Sequence, residues 1–504
     1  MNKYSLVYTW EGTDKSLKPI MICSHLDVVP APENNENASM NWTHPPFAGK
    51  VVDGEIWGRG AVSERSERAL MKTSILAMNP ARRDATRHDA TRHDATRLPR
   101  PTLKLILFHS IRLSLNCLQS RFRSAQIDNK HNVVGQLAAV ELLLEHDPSF
   151  APQRTIIIAM GHDEEICGDQ GAFFIEKHLF KTRKDLPKTN GFEAIFDEGP
   201  MMVEGAMPGF MGNAALIANA EKGAGELMNE SCTFSFFISN PLSPPTPLPP
   251  LPTHTVTLEL RVDTAGGHSS MPPIKEEGAV SIIAKAVTKL EANPFPAKFS
   301  RGSNMRKQLQ FLSPMFSTPM RVVTSNLWLF SPLLKKVLLR ASNGAAAMLR
   351  TTTAVTVIQG GDKYNVLPYT VKAYVNHRIH PEDTLEGVIE YDKKVIDDDR
   401  IKVTVVGGVT PASKVSSLTS NSFAWVKESV ANVFNNPSTC SLMIGNTDTR
   451  HYWNLSNDIY RFSPVNLHVK ELGMFHGLNE RISVDNLAGV CLYYRELMLR
   501  AQQK

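Results

Sequence analysis

The sequence lacks several features that would assign it to a class at once. Its six cysteines are widely scattered and include no C-x-x-C pair, which argues against a disulfide scaffold and against a thiolate zinc site. It contains no run of about eighteen apolar residues, the length that a membrane-spanning helix requires, so we expect no such span. Charged residues make up 21% and hydrophobic residues 42% of the 504 residues. This composition excludes a disordered, collagen-like or coiled-coil protein.

The excess of positive charge is small and is unevenly placed. The formal net charge is +5, yet residues 63–126 alone carry 13 Lys and Arg against 5 Asp and Glu. The remainder of the chain is therefore net negative. This charge distribution argues against a basic surface that binds nucleic acid, and we expect no nucleic-acid partner.

Two segments differ in composition from the sequence around them. Residues 63–126 contain the pentapeptide DATRH twice in succession from Asp84, and a five-residue period fits neither a helix nor a strand. Residues 224–252 end with seven prolines between Pro241 and Pro252, which is typical of polyproline II or of a linker. We predict that both are inserts without regular structure. A basic binding tail and an SH3-type ligand are the respective alternatives.

Apolar strand-like runs that end in charged residues alternate with helical patterns in the first part of the chain. Fully apolar strands between helices indicate a mostly parallel sheet that is covered by helices on both faces. Ligands of such sheets lie at the carboxyl ends of the strands, which is where the charged residues fall. The strand-like runs are 19–30, 154–165 and 192–199, and the clearest helical pattern is 133–147.

The predicted pattern of helices and strands changes in the middle of the chain. The predicted elements of residues 217–406 follow the order β-α-β-β-α-β, which is the ferredoxin-like pattern. We therefore predict an α/β catalytic domain whose first part is residues 1–216. A smaller α+β ferredoxin-like domain, residues 217–406, is inserted into it, and residues 407–504 complete the first domain.

Histidines and carboxylates that suit a divalent cation occur at the predicted strand ends. Imidazole and carboxylate ligands suit zinc, and zinc sites without thiolates are commonly catalytic. In His25-x-Asp27 both side chains point to the same side of an extended strand, so that Asp27 can accept the second ring N–H of His25. Each feature alone is more often a solvated surface group, so the prediction depends on their joint order. The candidate residues are His25, Asp27, Asp128, Glu164, Glu165, Asp197 and His476.

The sequence motifs around these residues resemble those of the M20 family of metallopeptidases. The resemblance covers nearly the whole chain apart from the two inserts. Within the family it is strongest to the branch of carboxypeptidase S and the N-fatty-acyl-amino acid synthase/hydrolases. The motifs are SHLDVVPAP from Ser24, NWTHPPFAGKVVDGEIWGRGA from Asn41, IDNKHNVVG from Ile127, GHDEE from Gly161, FDEG from Phe196, GGHSSMPP from Gly266, IGNTDTRHYWNL from Ile444 and FHGLNERI from Phe475.

This resemblance implies a zinc exopeptidase-like fold, a lid and dimerisation domain, and two zinc ions, with Co²⁺ or Mn²⁺ as substitutes. Asp128 would bridge the two ions. His25 and Asp197 would complete one ion site, and Glu165 and His476 the other.

The resemblance also implies roles for residues beside the metal ions. Glu164 would be the general base that takes a proton from the attacking water, and Asp27 would orient His25. His268 would help to hold the oxyanion, with a turn residue bonded to its neighbouring serines as the alternative. Three residues would recognise the substrate carboxylate; for Arg378 a structural ion pair is the alternative. They are Asn365, Arg378 and Arg450.

The predicted function is a two-zinc amidohydrolase that cleaves, or in reverse forms, the amide bond of N-acyl amino acids or small peptides. A dipeptidase or carboxypeptidase of the same family is one alternative. A catalytically dead relative, disabled by its inserts, is another. We expect a small-molecule substrate and a homodimer through the lid domain. The first residues, MNKYSLVYTWEG, do not form a signal peptide and read as a strand, so upstream sequence is expected to be missing. The compartment stays open, although relatives are secreted or vacuolar.

Overall fold

A computed structural model describes residues 4–31, 42–59, 128–205, 209–222, 256–275, 277–406 and 412–503. The two predicted inserts, 63–126 and 224–252, lie outside these residues.

A mixed sheet of nine strands forms the centre of the larger part of the molecule. Its order is β1-β5-β2-β6-β16-β8-β7-β17, and β15 pairs with β8. Five of its pairings are parallel and three are antiparallel. The predicted mostly parallel sheet is thus confirmed. The strands are β1 (Leu6–Trp10), β2 (Ile20–His25), β5 (Ile156–Gly161), β6 (Ala194–Asp197), β7 (Met202–Glu204), β8 (Ala215–Glu221), β15 (Ser438–Met443), β16 (Ile459–Arg461) and β17 (Asn466–His468).

Helices cover both faces of this sheet because its central strands bury every side chain. In β2, Ile20 and Ile22 pack into the hydrophobic core of one face, whereas Met21 and Cys23 pack into the core of the other. This alternation follows from the two-residue period of a strand. On the first face lie α1 (Lys130–His146), α9 (Asn421–Phe434) and α10 (Val484–Arg500); on the second lies α2 (Ala172–Thr182).

The smaller part is a four-stranded antiparallel sheet with two helices, as the ferredoxin-like prediction requires. Its strand order is β11-β13-β9-β14, and its apolar residues form a separate core. The predicted α/β fold with an inserted α+β domain is therefore confirmed. The elements are β9 (Val256–Asp263), α3 (Ala279–Ala292), β11 (Thr352–Gly360), β13 (Thr370–Arg378), α8 (Leu385–Ile396) and β14 (Lys402–Val406).

The predicted domain boundary between residues 216 and 217 falls inside β8, which lies in the large sheet. A two-stranded ribbon extends from the small sheet and pairs β10 (Gly267–His268) with β12 (Val366–Leu367). A three-stranded sheet, in the order β18-β4-β3, brings the region before α10 to residues near the first insert. Its strands are β3 (Lys50–Val52), β4 (Glu55–Trp57) and β18 (Arg481–Ser483).

Four helices between α3 and β11 form a unit that the sequence analysis did not predict. They enclose a small core of their own, which includes Leu309, Phe316 and Leu334. Within the described ranges no single helix has the length and apolarity of a membrane span. Helices α5 and α6 pass that test only when taken together, and their junction is bent by 114°. The helices are α4 (Asn304–Leu312), α5 (Thr318–Ser325), α6 (Leu327–Ala341) and α7 (Asn343–Leu349).

Candidate metal centre and active site

His25 and most of the carboxylates singled out from the sequence meet at one edge of the large sheet. Strands β5, β2 and β6 are parallel neighbours, so their carboxyl ends coincide. His25 is the last residue of β2 and Asp197 the last of β6. Glu164 and Glu165 begin a short 3-10 helix just after β5. Neighbouring strand ends thus position these side chains.

Asp128 lies between two histidines that come from distant parts of the chain. Its Oδ1 is 3.1 Å from His25 Nε2, and its Oδ2 is 2.9 Å from His476 Nε2. Helix α1, which follows Asp128, is held against β2 by Gln136, whose Nε2 donates to the Cys23 carbonyl at 2.8 Å. Each oxygen of this one carboxylate therefore faces a different histidine.

Two groups of potential ligands share Asp128. The first adds His25 and Glu198, and the second adds His476 and Glu165; within each group the ligand atoms lie within 4.8 Å of one another. Glu198 Oε1 is 3.4 Å from His25 Nε2, and Glu165 Oε2 is 3.4 Å from His476 Nε2. Ligand atoms at about 2.0–2.2 Å from a tetrahedral zinc ion lie roughly 3.3–3.6 Å apart. The two glutamate–histidine spacings of 3.4 Å lie in this range, so each group is suited to hold a divalent metal ion.

The charges at this edge of the sheet also favour cations. Burial, with neighbouring carboxylates, raises the pKa of Glu165 to about 7 and that of Glu198 to about 8. Burial likewise raises the pKa of Asp197 to about 6. Buried oxygens of Glu165 and Asp197 have no hydrogen-bond partner among the described residues. Ionised carboxylates so close together require positive charge, and divalent ions would supply it.

His476 adopts a backbone conformation that is rare for its residue type. Its φ of 55° lies in the left-handed region, which non-glycine residues seldom occupy and which is concentrated at functional sites. Although its side chain is half exposed, its ring nitrogen points at Asp128 and Glu165. The turn before β18 thus brings a histidine back to the sheet edge.

Asp27 connects His25 with the two glutamates. Its Oδ1 is 3.3 Å from His25 Nδ1, and its two oxygens accept hydrogen bonds from the backbone N–H groups of Glu164 and Glu165 at 3.0 Å and 2.9 Å. Burial would raise the pKa of Asp27, but these contacts together lower it. The carboxylate is thus ionised beside the His25 ring, whose Nδ1 also lies 3.1 Å from the backbone carbonyl oxygen of Asp27.

Glu164 lies beside His25 without belonging to either ligand group. Its Oε2 lies 4.0 Å from His25 Nε2. Burial and then the charge of Glu198 raise its pKa well above the usual value, whereas the Arg450 guanidinium opposes the rise. A proton acceptor with a raised pKa suits general base catalysis near neutral pH.

Two of the predicted residues from the small domain lie close together at the β10–β12 ribbon. His268 pairs with Val366 in the ribbon, and its Nδ1 lies 2.8 Å from Ser270 Oγ. The backbone carbonyl of Asn365 accepts a hydrogen bond from the Ser269 N–H at 3.1 Å. Both side chains are exposed. Among the described residues, no hydrogen bond or ion pair joins either one to the carboxylate cluster.

The two predicted arginines are both associated with the loop that follows β15. Arg378, at the end of β13, donates from Nη1 to Asn446 Oδ1 at 3.1 Å, which links the small domain to this loop. Arg450 belongs to the same loop, and its buried Nη2 has no hydrogen-bond partner in the described part of the chain. The carboxylates of Asp448 and Glu164 lie near its guanidinium and balance its positive charge. Arg450 therefore offers an unused donor close to the predicted general base.

Two carboxylates of the centre were not singled out from the sequence. Glu198 follows directly after the predicted ligand Asp197, so the FDEG motif contains a second carboxylate that spacing cannot distinguish from the first. Glu480, fully buried, accepts from Arg59 Nη1 at 3.0 Å and from the Asp128 backbone N–H at 3.3 Å. It thereby links the two residues that border the undescribed segment 60–127. The only sequence signal for it is its place in FHGLNERI.

Comparisons with known proteins find relatives along nearly the whole chain. A family model described as a peptidase dimerisation domain matches residues 255–402. The probable carboxypeptidase S-like 2 of Dictyostelium discoideum is 32% identical over 502 residues, which is 99% of this chain and 75% of that protein. The N-fatty-acyl-amino acid synthase/hydrolase PM20D1.1 of Danio rerio is 33% identical over 503 residues, again 99% of this chain and 75% of the relative.

Solved structures of low sequence identity share the fold. The M20 family metallo-carboxypeptidase Sso-CP2 from Sulfolobus solfataricus superposes with a TM-score of 0.53 at 15% identity, covering 99% of this chain and 88% of the other. Human carnosine dipeptidase 1 gives a TM-score of 0.53 at 13% identity, with 99% and 83% covered.

Proposed function

The chain belongs to the M20 family of metallopeptidases, and from this premise we propose that it hydrolyses the amide bond of N-acyl amino acids, or forms it in reverse, with two zinc ions. The family consists of metal-dependent enzymes that typically use zinc. The number of ions and the acyl-amino acid substrate belong to the proposal. Relatives that carry the name N-fatty-acyl-amino acid synthase/hydrolase support the substrate class.

The observation that carries the proposal is the position of Asp128 between two histidines. One carboxylate that presents each oxygen to a separate ligand group suits the bridging ligand of a pair of ions. His25 and Asp128 would hold one ion together with an acid of the Asp197–Glu198 pair. Although the resemblance implied Asp197, the contacts favour Glu198. Asp128, Glu165 and His476 would hold the other ion.

Zinc, when bound, supplies polarisation of the amide carbonyl and acidification of water. Glu164 would take the proton from the attacking water and deliver it to the leaving nitrogen, because it is a buried carboxylate beside His25 that belongs to neither ligand group. Asp27 would keep His25 and the backbone of Glu164 in place through its three contacts. Of the two adjacent glutamates, Glu164 would thus act as the base and Glu165 as a metal ligand.

Substrate recognition would fall to arginines of the loop after β15 and of the small domain. The unpartnered Nη2 of Arg450 lies near Glu164, and a guanidinium binds a carboxylate through two parallel hydrogen bonds. Arg378 would assist from the end of β13. His268 and Asn365 would contribute to the oxyanion and to the carboxylate from the exposed ribbon, either after movement of the small domain or from a second copy of the chain.

A substrate series tests the proposal. The zinc-loaded protein is offered an N-acyl amino acid, the same compound with its carboxylate converted to an amide, and a dipeptide with the same C-terminal residue. We expect kcat/KM to be highest for the free acid and to fall more than about tenfold for the amide, since a charged hydrogen bond to arginine is lost. Glu164→Gln is the matched inactive control.

The two alternatives give different results in the same series. A higher kcat/KM for the dipeptide would identify a dipeptidase or carboxypeptidase. No turnover of any compound by protein with full zinc occupancy would identify a catalytically dead relative.

A further inference from the structure

The helical unit formed by α4 to α7 lies in a stretch of sequence with charge of a single sign. Residues 292–361 contain no Asp or Glu, whereas they contain nine Lys and Arg. Seventy residues with no acid are unexpected in a chain with 50 acidic residues against 55 basic ones. The unit therefore carries a strong local positive charge, although the chain as a whole is nearly balanced.

Helix α6 exposes large apolar side chains on one face. Leu329, Leu333 and Val337 are 55%, 61% and 52% exposed, and their spacing of four residues places them in one row along the helix. Trp328, which is 72% exposed, lies beside the first of them. Isolated apolar residues on a surface are normal, but three in one row with a tryptophan beside them form a patch that is typical of an interaction surface.

Other residues of α6 pack into the core of the helical unit. Leu327 and Leu334 are buried in the helical unit, and Leu338 and Leu339 pack partly against that core. The outward-facing patch is therefore not needed for the packing of the unit. We call it the α6 face: Trp328, Leu329, Leu333 and Val337.

Basic residues lie next to the α6 face. Lys336 and Arg340 are exposed and lie on the adjacent row of the helix, because they follow Trp328 by eight and twelve residues. Neither makes a hydrogen bond or an ion pair within the described ranges. By contrast, Arg321 of α5 is engaged with carbonyl oxygens of the unit. The two cations beside the α6 face are thus available to an outside partner.

We propose that the α6 face docks on an anionic lipid surface, with the helix lying in the interface. An apolar row with tryptophan at one end and lysine or arginine along its border is typical of helices at that depth. Lysine and arginine there are attracted to acidic headgroups and keep their charge in water while their stems cover apolar surface. An acid-free helical unit has the charge that is complementary to such a surface.

A transmembrane arrangement does not fit α6. Its 15 residues span about 22 Å at 1.5 Å per residue, which is less than the roughly 30 Å of a bilayer core. Helices α5 and α6 are bent by 114° at their junction, and two of the α6 leucines are buried in the protein. The helix can therefore expose only one face to lipid.

Vesicle binding by the full chain tests this proposal independently of turnover. Binding is measured by co-flotation with phosphatidylcholine vesicles with and without 30 mol% phosphatidylserine, about the level that gives strong surface charge. We expect binding to the anionic vesicles that weakens in 0.5 M salt, roughly as charge screening requires. The double variant Lys336→Gln/Arg340→Gln is expected to bind about tenfold or more weakly, and Leu333→Ser likewise. Val51→Ser, at an exposed apolar position of β3, is the matched control and should bind as the parent does.

Two outcomes would overturn the proposal. One is equal binding of the parent and both α6 variants, or no binding to anionic vesicles at low salt. The other is a change of oligomeric state in Leu333→Ser, measured by light scattering, because the face would then be a contact between protein chains. Turnover of a soluble substrate should remain unchanged in every variant, so loss of docking and loss of catalysis are distinguishable.

Discussion

At the scale of single residues, Asp128 organises the candidate centre. Burial would raise its pKa, yet the hydrogen bonds from His25 and His476 lower it, so the carboxylate is ionised between them. Around it, Glu165 and Glu198 occupy equivalent positions on the two sides. Glu164 stands apart from both groups. The residues therefore divide into those suited to bind metal and one suited to move a proton.

Glu164 and Glu165 are expected to fail in different ways when each is replaced. Glu164→Gln should retain zinc and lower kcat by about 10²- to 10⁴-fold, the contribution of a general base. Glu165→Gln should lower zinc affinity by more than the roughly 10- to 100-fold that loss of an outer-sphere partner costs. Zinc content and kcat are measured on the same preparations. Loss of zinc from Glu164→Gln with preserved turnover in Glu165→Gln would mean that the roles are reversed.

The adjacent acids Asp197 and Glu198 allow a matched comparison of the same kind. Because only Glu198 lies in a ligand group with His25 and Asp128, we expect Glu198→Gln to weaken zinc binding more than about 100-fold. Asp197→Asn should weaken it far less, since the residue acts through its neighbours. Zinc affinity is measured by competition with a chromophoric chelator. A larger loss in Asp197→Asn would assign the ligand as the family resemblance implies.

At the scale of elements, the turn before β18 joins separate parts of the chain. It presents His476 to Asp128, and its buried Glu480 bonds both Arg59 and the Asp128 backbone. Gly58 N–H also donates to the Glu480 carbonyl at 3.0 Å. The two borders of the undescribed segment 60–127 thus meet at one carboxylate beside the candidate centre.

Glu480→Gln is expected to destabilise the protein and to weaken zinc binding together. Breaking a buried ion pair leaves the Arg59 charge uncompensated, at a cost of about 3–5 kcal/mol, and it loosens Asp128. Thermal unfolding of the metal-free protein and zinc affinity are the measurements. Glu471→Gln, whose partner Arg481 is 3.9 Å away at the surface, is the control and should change neither. Unchanged zinc affinity in Glu480→Gln would show that this residue does not position Asp128.

The sequence predicts the elements whose pattern is local and fails where tertiary contacts decide. Strand β2 can be predicted from the sequence because a strand that is buried on both faces consists of apolar residues until it reaches its polar end at His25. Which of Asp197 and Glu198 lies in a ligand group cannot be predicted from the sequence. Adjacent side chains point in different directions, and only the packed structure decides which one faces His25 and Asp128. Helix α6 escaped prediction because Pro332 interrupts its pattern.

At the scale of the whole molecule, the chain combines a catalytic sheet with a domain of the dimerisation type. The sheet edge supplies His25, Asp27 and the two glutamates, whereas the small domain supplies Arg378 at the border between the two parts. His268 and Asn365 stay on the exposed ribbon. The residues proposed to bind metal therefore all belong to the part built on the large sheet, whereas the small domain contributes Arg378, which is proposed to bind substrate.

Joint measurement of zinc content and amide hydrolysis tests this account most directly. The protein is stripped with a chelator and titrated with zinc while turnover of one N-acyl amino acid is followed. The account predicts that stripped protein is inactive and that activity returns as occupancy approaches two ions per chain. Cobalt should also restore it, whereas Asp128→Asn should not recover. Full activity of the protein without metal would contradict the account.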